Sequence, residues 1–236
     1  MFAGMAQAEE FLRKIDGDIG LGAFYTGHTV RSKADQLSVL PYAYFSYDRV
    51  FIRLDTLGIK TWKLGYGYLE IVGRYSQDGF DADTSSLAGI RNRQTSIPLG
   101  IGTLQVTPIG AFFINAFHDV SKSGGNLFEA IYVGKLDASW LTFYPLAGAE
   151  YRSTEYVRYY YGVSSQEAAS SPYSAYQPGG AVIPLMGLLV DARLTEEYHI
   201  NFYLRRRWLS NSIQDSPIVD HKFLDTGYLA LSYRFR

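Results

Sequence analysis

The stretch from Phe223 to Phe235 reads F-L-D-T-G-Y-L-A-L-S-Y-R-F, and its alternation decides the fold class. Leu229, Leu231 and the aromatic residues at both ends share one parity, whereas Ser232 and Arg234 belong to the other. Successive side chains of a β-strand point to opposite faces, so a period of two predicts a strand whose faces meet different environments. The chain therefore ends in a two-faced strand.

A last strand with aromatic or apolar residues at alternate positions and a Phe close to its end resembles the closing strand of outer-membrane β-barrels. One residue, Arg236, follows Phe235 here, which is a small departure from that pattern. The composition favours the same class. The chain contains 20 Tyr, 14 Phe and 3 Trp, and membrane barrels carry aromatic girdles at both interfaces.

The mean hydropathy of -0.08 fits strands in which each lipid-facing residue is offset by a lumen-facing one. The longest apolar stretch, residues 183–190, is far shorter than the roughly 20 residues that a membrane-spanning helix requires. If this chain lies in a membrane, it crosses it as strands.

Further segments alternate in the same way and are joined by connections of two lengths. Ile15 to Tyr25 and Leu141 to Tyr151 are clear strands, whereas Ser76 to Arg93 and Ser153 to Gly180 are polar and long enough to be external loops. We predict an all-β fold, a transmembrane antiparallel up-and-down β-barrel of about 12 strands. The count falls to about 10 if the two pieces flanking a turn at residues 56–58 do not span the bilayer.

The first eight residues resemble the end of a secretory signal, because Ala6-Gln7-Ala8 matches the small-residue cleavage pattern before Glu9. We predict a signal-peptide remnant at residues 1–8 and a single outer-membrane barrel domain at residues 9–236. A frayed N-terminus is the alternative.

Charge and cysteine content exclude several functions. A net charge of -1 gives no electrostatic case for binding nucleic acid, which requires a clustered basic face. The absence of cysteine excludes thiolate metal sites, disulfides and cysteine nucleophiles. The closest grouping of His and Ser is His118 with Ser121 and Ser123, at a strand end where polar residues are expected in any case. We predict no enzyme, no metal and no cofactor.

Charged residues of both signs have lumen-facing parity. Buried charges must pair in a low dielectric, which predicts a plugged interior. A narrow channel is the alternative, in which the run of arginines from residue 205 attracts anions. Arg206, of lipid-facing parity, would contact lipopolysaccharide phosphates or extend to the interface. The predicted lumen charges are Asp16, Asp18, Glu129, Lys135, Glu150, Arg152, Asp191, Arg193, Arg205 and Arg207.

Tyrosines are concentrated in the long loop between residues 153 and 180. They predict either a recognition surface, because Tyr supplies contact area at low entropic cost, or packing of the loop over the barrel mouth. These residues are Tyr159, Tyr160, Tyr161, Tyr173 and Tyr176.

Short motifs spread along the chain resemble those of one family, the MltA-interacting protein / outer membrane protein V (MipA/OmpV) family. The match spans nearly the whole chain. The motifs are Pro41-Tyr42, Tyr47-Asp48-Arg49, Leu87-Ala88-Gly89-Ile90, the segment Tyr159–Ala168 with Tyr-Gly-Val-Ser at its centre, Tyr176–Gly180 and Asp215–Val219.

The resemblance implies a barrel in the outer membrane of a Gram-negative bacterium, without known catalytic residues. The family's namesake is regarded as a scaffold that bridges a murein lytic transglycosylase and a bifunctional penicillin-binding protein. The resemblance therefore implies these partners, together with outer-membrane lipid and lipopolysaccharide. We expect a monomeric, non-enzymatic envelope scaffold, with a narrow channel for small solutes as the alternative.

Overall fold

The structure, a computed structural model, describes residues 14–235. The predicted signal-peptide remnant at residues 1–8 lies outside the described residues. The strands are β1 Ile15–Thr26, β2 Gln36–Tyr47, β3 Val50–Arg53, β4 Thr56–Leu64, β5 Gly67–Arg74, β6 Leu99–Thr107, β7 Gly110–His118, β8 Asn126–Val133, β9 Leu136–Ala138, β10 Leu141–Arg152, β11 Ala181–Arg193, β12 Tyr198–Trp208 and β13 Phe223–Phe235.

The strands close into a barrel in which each strand pairs antiparallel with its neighbours. The first and last strands join, with Asp18 opposite Arg234. β8 and β9 both pair with β10, so they are two segments of one wall strand that is interrupted at Gly134 and Lys135. Counting them as one reduces the 13 strands of the sheet to 12. The predicted all-β barrel of about 12 strands is confirmed.

The two faces of β13 follow the parity that the sequence predicts. Leu229 and Leu231 are more than half exposed on the outside, whereas Tyr228, Ala230 and Ser232 are buried on the inside. The alternation therefore separates a lipid-facing wall from a lumen.

Long connections lie at one end of the barrel, which we call the loop end, and tight turns lie at the other, the turn end. The loop-end connections include residues 75–98, 153–180 and 209–222, whereas the turns at residues 65–66 and 108–109 contain two residues each. In outer-membrane barrels the long loops face outward and the short turns face the periplasm.

Outward-facing aromatic residues form one ring at each end of the wall, as membrane barrels require. The turn-end ring comprises Tyr47, Tyr66, Trp140, Tyr198 and Tyr233, and the loop-end ring comprises Tyr25, Tyr75, Phe128, Tyr151, Trp208 and Phe223.

The hairpin of β3 and β4 differs from the prediction. The turn lies at Leu54 and Asp55, and residues 56–58 belong to β4 instead of forming the turn. Leu54 adopts a left-handed conformation with φ 56°, which a tight two-residue hairpin turn demands. β3 has four residues and β2 has 12, so the wall is low at this hairpin.

The loops carry helical segments that the sequence analysis did not predict. They are the 3-10 turn Ser85–Leu87 and the helices α1 Thr154–Tyr161, α2 Ser165–Ser170 and α3 Asn211–Gln214. None of the helices within residues 14–235 is long and apolar enough to cross a membrane.

Candidate functional site

The barrel encloses a cavity of about 550 Å³ that runs past charged, aromatic and apolar side chains. Its apolar lining comes mainly from β6, β7, β8, β10 and β11, and most of its tyrosines come from β2, β12 and β13. The apolar residues include Leu104, Phe113, Ile131, Leu146 and Leu189, and the tyrosines include Tyr42, Tyr44, Tyr203 and Tyr228.

An ion network lies at the turn end of the cavity. Arg234 donates two hydrogen bonds of 2.7 Å to the Asp18 carboxylate and a third, of 2.8 Å, to Asp191. Asp191 also contacts His199 Nδ1 at 2.6 Å. Both carboxylates and the imidazole are buried. One guanidinium therefore bridges two acids from β1 and β11 across the seam of the barrel.

Two further pairs line the wall between β3 and β8. Arg53 donates two hydrogen bonds, of 2.8 and 2.7 Å, to Glu70. Arg74 forms the same bidentate contact with Glu129, which also accepts a hydrogen bond of 2.6 Å from Asn115. Planar guanidinium and carboxylate groups fit together in this geometry, so each pair neutralises its own charge.

The loop end of the cavity contains a looser cluster around Glu150. Arg152 reaches this carboxylate at 3.3 Å, Arg207 at 3.6 Å and Arg205 at 3.9 Å. Arg152 also donates to Asp78 at 3.0 Å. Among residues 14–235, the Nε atoms of Arg205 and Arg207 find no hydrogen-bond partner. Three cations therefore share two carboxylates, at distances longer than those of the bidentate pairs.

The predicted lumen charges fall into two groups. Asp18, Glu129, Glu150, Arg152, Asp191, Arg205 and Arg207 line the cavity. Asp16 and Arg193 are exposed at the turn ends of β1 and β11, and Lys135 is exposed at the break between β8 and β9, where it pairs with Asp137 at 3.0 Å. These three do not line the cavity.

The loop that contains α1 covers the loop end of the cavity. Tyr156, Tyr160 and Tyr161 of this helix are buried among Ile183 and Ile213 and other apolar residues of the neighbouring strands and loops. Tyr159, Tyr173 and Tyr176 are partly buried. Of the two interpretations of the loop tyrosines, packing over the barrel mouth agrees with these positions.

Asp78 anchors this cover to the barrel. Its carboxylate accepts hydrogen bonds from Tyr156 at 2.8 Å, from Tyr161 at 3.3 Å and from Arg152 on β10. Burial raises the pKa of Asp78, but the Arg152 and Arg207 guanidinium groups outweigh burial, so the net pKa lies below its usual value. The carboxylate is therefore held ionised at the point where loop and wall meet.

Glu167, in α2, is the second anchor among the loops. It forms a capping box with Ser164 and accepts a hydrogen bond of 2.8 Å from Arg93. Burial raises its pKa, but N–H groups of Ser164 and Arg91 and the Arg93 guanidinium lower the pKa of Glu167 to about 2. The loop of residues 75–98 is thereby tied to α2.

A barrel of this construction has counterparts among known proteins. The family model of the MltA-interacting protein MipA matches residues 19–235, which is nearly all of the described chain. The chain belongs to the MipA family. The match includes the closing strand and every loop that covers the cavity.

Relatives of this MipA family member are outer-membrane proteins by name. The putative outer membrane protein YiaT of Escherichia coli is 24% identical, over 92% of this chain and 90% of its own length. The MltA-interacting protein of Escherichia coli is 23% identical, over 99% and 94%. Outer membrane protein Omp26La of Vibrio anguillarum is 28% identical, over 70% and 61%. The protein is therefore located in the outer membrane, as predicted, and none of these names denotes an enzyme.

Motifs of the MipA family that lie far apart in the sequence meet in the loops. Leu87 and Ile90 pack against Val163 and Ile218 in one buried cluster, to which Val30 also contributes. Val163 and Tyr176 form a β-bridge. The motifs at residues 87–90, 159–168, 176–180 and 215–219 therefore build the cover of the barrel, whereas the motifs at residues 41–42 and 47–49 lie on β2 and at its turn end.

The His and Ser residues that were considered for catalysis do not pair. His118 contacts the Asn126 side chain at 2.8 Å, and Ser121 and Ser123 donate instead to Asp119, at 2.9 and 2.7 Å. Within residues 14–235 no group of three or more acidic or imidazole side chains is placed to hold a metal ion.

Sequence reasoning missed Arg53, Glu70, Arg74 and Asp78 as lumen or cover residues. Arg53 lies in the short hairpin, so its parity becomes clear only when the turn is placed at Leu54, whereas Glu70 and Arg74 lie on β5, whose own alternation places them inside. The polar sequence around Asp78 predicts an external loop, and nothing in the local sequence shows that this loop bends inward to reach Arg152.

Proposed function

We propose that this MipA family barrel is a non-enzymatic envelope scaffold that links the outer membrane to murein-processing enzymes. The single observation that supports it best is the covered loop end of the cavity. The loop that contains α1 packs over the loop end of the cavity, and three bidentate ion pairs, Arg53–Glu70, Arg74–Glu129 and Arg234–Asp18, lie deeper in the barrel. A barrel closed in this way favours a structural role over transport.

The name of one relative, MltA-interacting protein, adds support for a partner of the murein lytic transglycosylase class. Such an enzyme would meet the barrel at the turn end, which faces the periplasm in barrels of this type. Tyr66 and Ile109 stand at that end with exposed fractions of 69% and 73%. Exposed aromatic and aliphatic side chains of this kind provide contact area for a protein partner.

The test is co-purification of the full chain, solubilised from envelopes, with an MltA-type transglycosylase. We expect the double variant Tyr66→Ser/Ile109→Ser to lose the enzyme. The matched control is Val120→Ser, because Val120 is equally exposed, at 68%, but lies at the loop end. Retention of the enzyme by the turn-end variant, or its absence from the unaltered barrel, contradicts the proposal.

A narrow channel for small anions is the second candidate. The cavity of about 550 Å³ and the partnerless Nε atoms of Arg205 and Arg207 favour it. Planar-bilayer recording separates the two functions. A scaffold gives no reproducible single-channel steps. Steps that disappear in Arg205→Gln/Arg207→Gln would establish the channel and contradict the scaffold proposal.

A further inference from the structure

The wall of the barrel has a gap beside the short hairpin. β2 pairs with β3 from Tyr44 to Tyr47, and the Leu54 N–H donates to the Ala43 carbonyl as the last contact of this ladder. Residues 36–42 of β2 pair with β1 on one edge, and no described strand pairs with the other edge. We call the gap between residues 36–42 and the turn at residues 54–55 the side window.

The neighbouring loop frames the side window without filling it. The Tyr75 N–H donates to the Asp55 carbonyl at 2.8 Å, which continues the wall for one residue above the hairpin. The chain then bends inward, since Gln77 contacts Thr26 of β1 at 3.2 Å and Asp78 reaches β10. Above the side window, Lys33 and Asp83 form an ion pair of 2.8 Å. The side window is therefore an opening with a complete frame.

Residues at the lower edge of the side window line the cavity, and an inward residue of its side edge is exposed. Tyr42 and Leu40 share the inward parity of β2, yet Tyr42 is 3% exposed and Leu40 is 47% exposed. Leu54 and Asp55, at the lower edge, also line the cavity. We attribute the exposure of this inward leucine to the missing strand beside it in the barrel wall.

The outer rim of the side window lies in the lipid-facing belt. Leu37 and Val39 point outward with exposed fractions of 73% and 68%. Leu37 is level with Tyr25 of the loop-end aromatic ring, because the two residues pair. The side window therefore opens towards the half of the bilayer at the loop end, which is the outer leaflet.

The cavity behind the side window has two chemical zones. Its apolar wall includes Leu104, Phe113 and Leu146. At its loop end, three guanidinium groups share the carboxylates of Glu150 and Asp78, which leaves one positive charge in excess. The carboxylate of Asp55 does not offset this excess by direct contact, because Asp55 is exposed and among residues 14–235 forms no ion pair. An apolar wall below a positive zone matches the two parts of an anionic amphiphile.

We propose that the side window admits a single-chain anionic amphiphile from the outer leaflet into the lumen. Its hydrocarbon chain lies against the apolar wall, and its head group accepts hydrogen bonds from Arg205 and Arg207. A cavity of about 550 Å³ is of the size that holds one small organic ligand, so two-chain phospholipids are excluded. This inference is independent of the scaffold role, which concerns the opposite end of the barrel.

The experiment uses photoaffinity labelling of the full chain in phospholipid vesicles. The probe is a 12-carbon fatty acid with a photoreactive diazirine at the end of its chain, and adducts are mapped by peptide mass spectrometry. Adducts on the inward residues Phe113, Leu146 and Leu189 are expected. Adducts on outward residues such as Ile101 and Leu231 report probe dissolved in the bilayer and serve as the internal reference. A two-chain phospholipid with the same diazirine should label the outward residues alone.

Two sets of variants separate the window from the head-group zone. Leu40→Trp narrows the side window and should lower the inward yield several-fold, whereas Val39→Trp, one residue away on the outer face, should not. Arg205→Gln/Arg207→Gln should lower the inward yield at least tenfold, because the loss of even one charged hydrogen bond of about 1.5 kcal/mol corresponds to about tenfold. Its control is Arg193→Gln, an exposed arginine outside the cavity.

Labelling of the unaltered barrel decides the outcome even if a variant fails to fold. Adducts confined to outward residues overturn the proposal. Equal labelling of the inward residues in Leu40→Trp and Val39→Trp overturns the proposal that the amphiphile enters through the side window. Equal inward labelling by a 12-carbon alkyl amine, which carries the opposite charge, overturns the anionic head group.

Discussion

The two ends of the lumen differ in how their guanidinium and carboxylate groups are matched. At the turn end, the carboxylates of Asp18 and Asp191 share one guanidinium, that of Arg234. At the loop end, Arg152, Arg205 and Arg207 share Glu150 and Asp78. The turn-end contacts are short and bidentate, whereas most loop-end contacts are long. The turn end is therefore held in one fixed arrangement, whereas the loop end has guanidinium N–H donors that are not fully used.

The largest expected effect follows from removing the residue that joins the loop-end cluster to the cover. Arg152 is 2% exposed and contacts both Asp78 and Glu150. Arg152→Gln leaves two buried carboxylates with fewer partners, and we expect a loss of about 3–5 kcal/mol in the free energy of unfolding. Urea unfolding in vesicles, followed by tryptophan fluorescence, measures it. A loss below 1 kcal/mol would show that Arg205 and Arg207 replace Arg152 as partners of the two carboxylates.

The matching change at the turn end should cost less. Arg234 is more accessible than Arg152, with a side-chain exposure of 27%, so water screens part of the charge that Arg234→Gln uncovers. We expect a loss of about 2 kcal/mol, between the values for exposed and buried pairs. The same urea experiment measures it, and Arg193→Gln, at the same end but outside the cavity, is the control. A loss equal to that of Arg152→Gln would remove the distinction between the two ends.

The loops at the loop end should respond to acid through Glu167. Its pKa in the folded protein, about 2, lies below the unfolded value of about 4.3. The ionised group therefore stabilises the loops fully above about pH 4.3, and this contribution is lost as the pH falls towards 2. Limited acid-protease cleavage within residues 153–180 should increase over this range. In Glu167→Gln the increase should be absent, and the same dependence in both proteins would assign it to another group.

The smallest effect is expected outside the barrel. Arg206 donates two hydrogen bonds to Asp225 and lies 4.0 Å above the Phe223 ring. The Arg206 side chain nevertheless points to the lipid-facing side of the wall and is 45% exposed. Arg206→Gln should change the free energy of unfolding by about 1 kcal/mol or less. A larger loss would show that this outer pair contributes as much as the pairs of the lumen.

Alternation predicted the barrel well because the inward and outward residues of each strand can be distinguished from the sequence of that strand alone. β13 needed no tertiary information, since Leu229 and Leu231 differ from Ser232 in chemistry alone. The turn at Leu54 and Asp55 was missed, because neither residue is the Gly or Asn that usually marks a hairpin turn. The short strand β3 then hid the parity of Arg53.

Partners across the lumen were beyond what the sequence could predict. Asp18 and Arg234 are 216 positions apart, and Asp78 and Arg152 are 74 apart. Parity places a charge inside, but the shear of the barrel determines which charge it meets. Parity also failed at strand ends, where Asp16 and Arg193 have the inward phase but no wall opposite them.

The pairing of β1 with β13 has a consequence for how the protein assembles. Until these two strands meet, each leaves a row of free backbone N–H and C=O groups along its edge, and such edges invite pairing with other chains. The contacts between β1 and β13 join residues far apart in the sequence, and contacts of long sequence separation form slowly. Newly made chains therefore depend on protection from aggregation until the closing strand arrives.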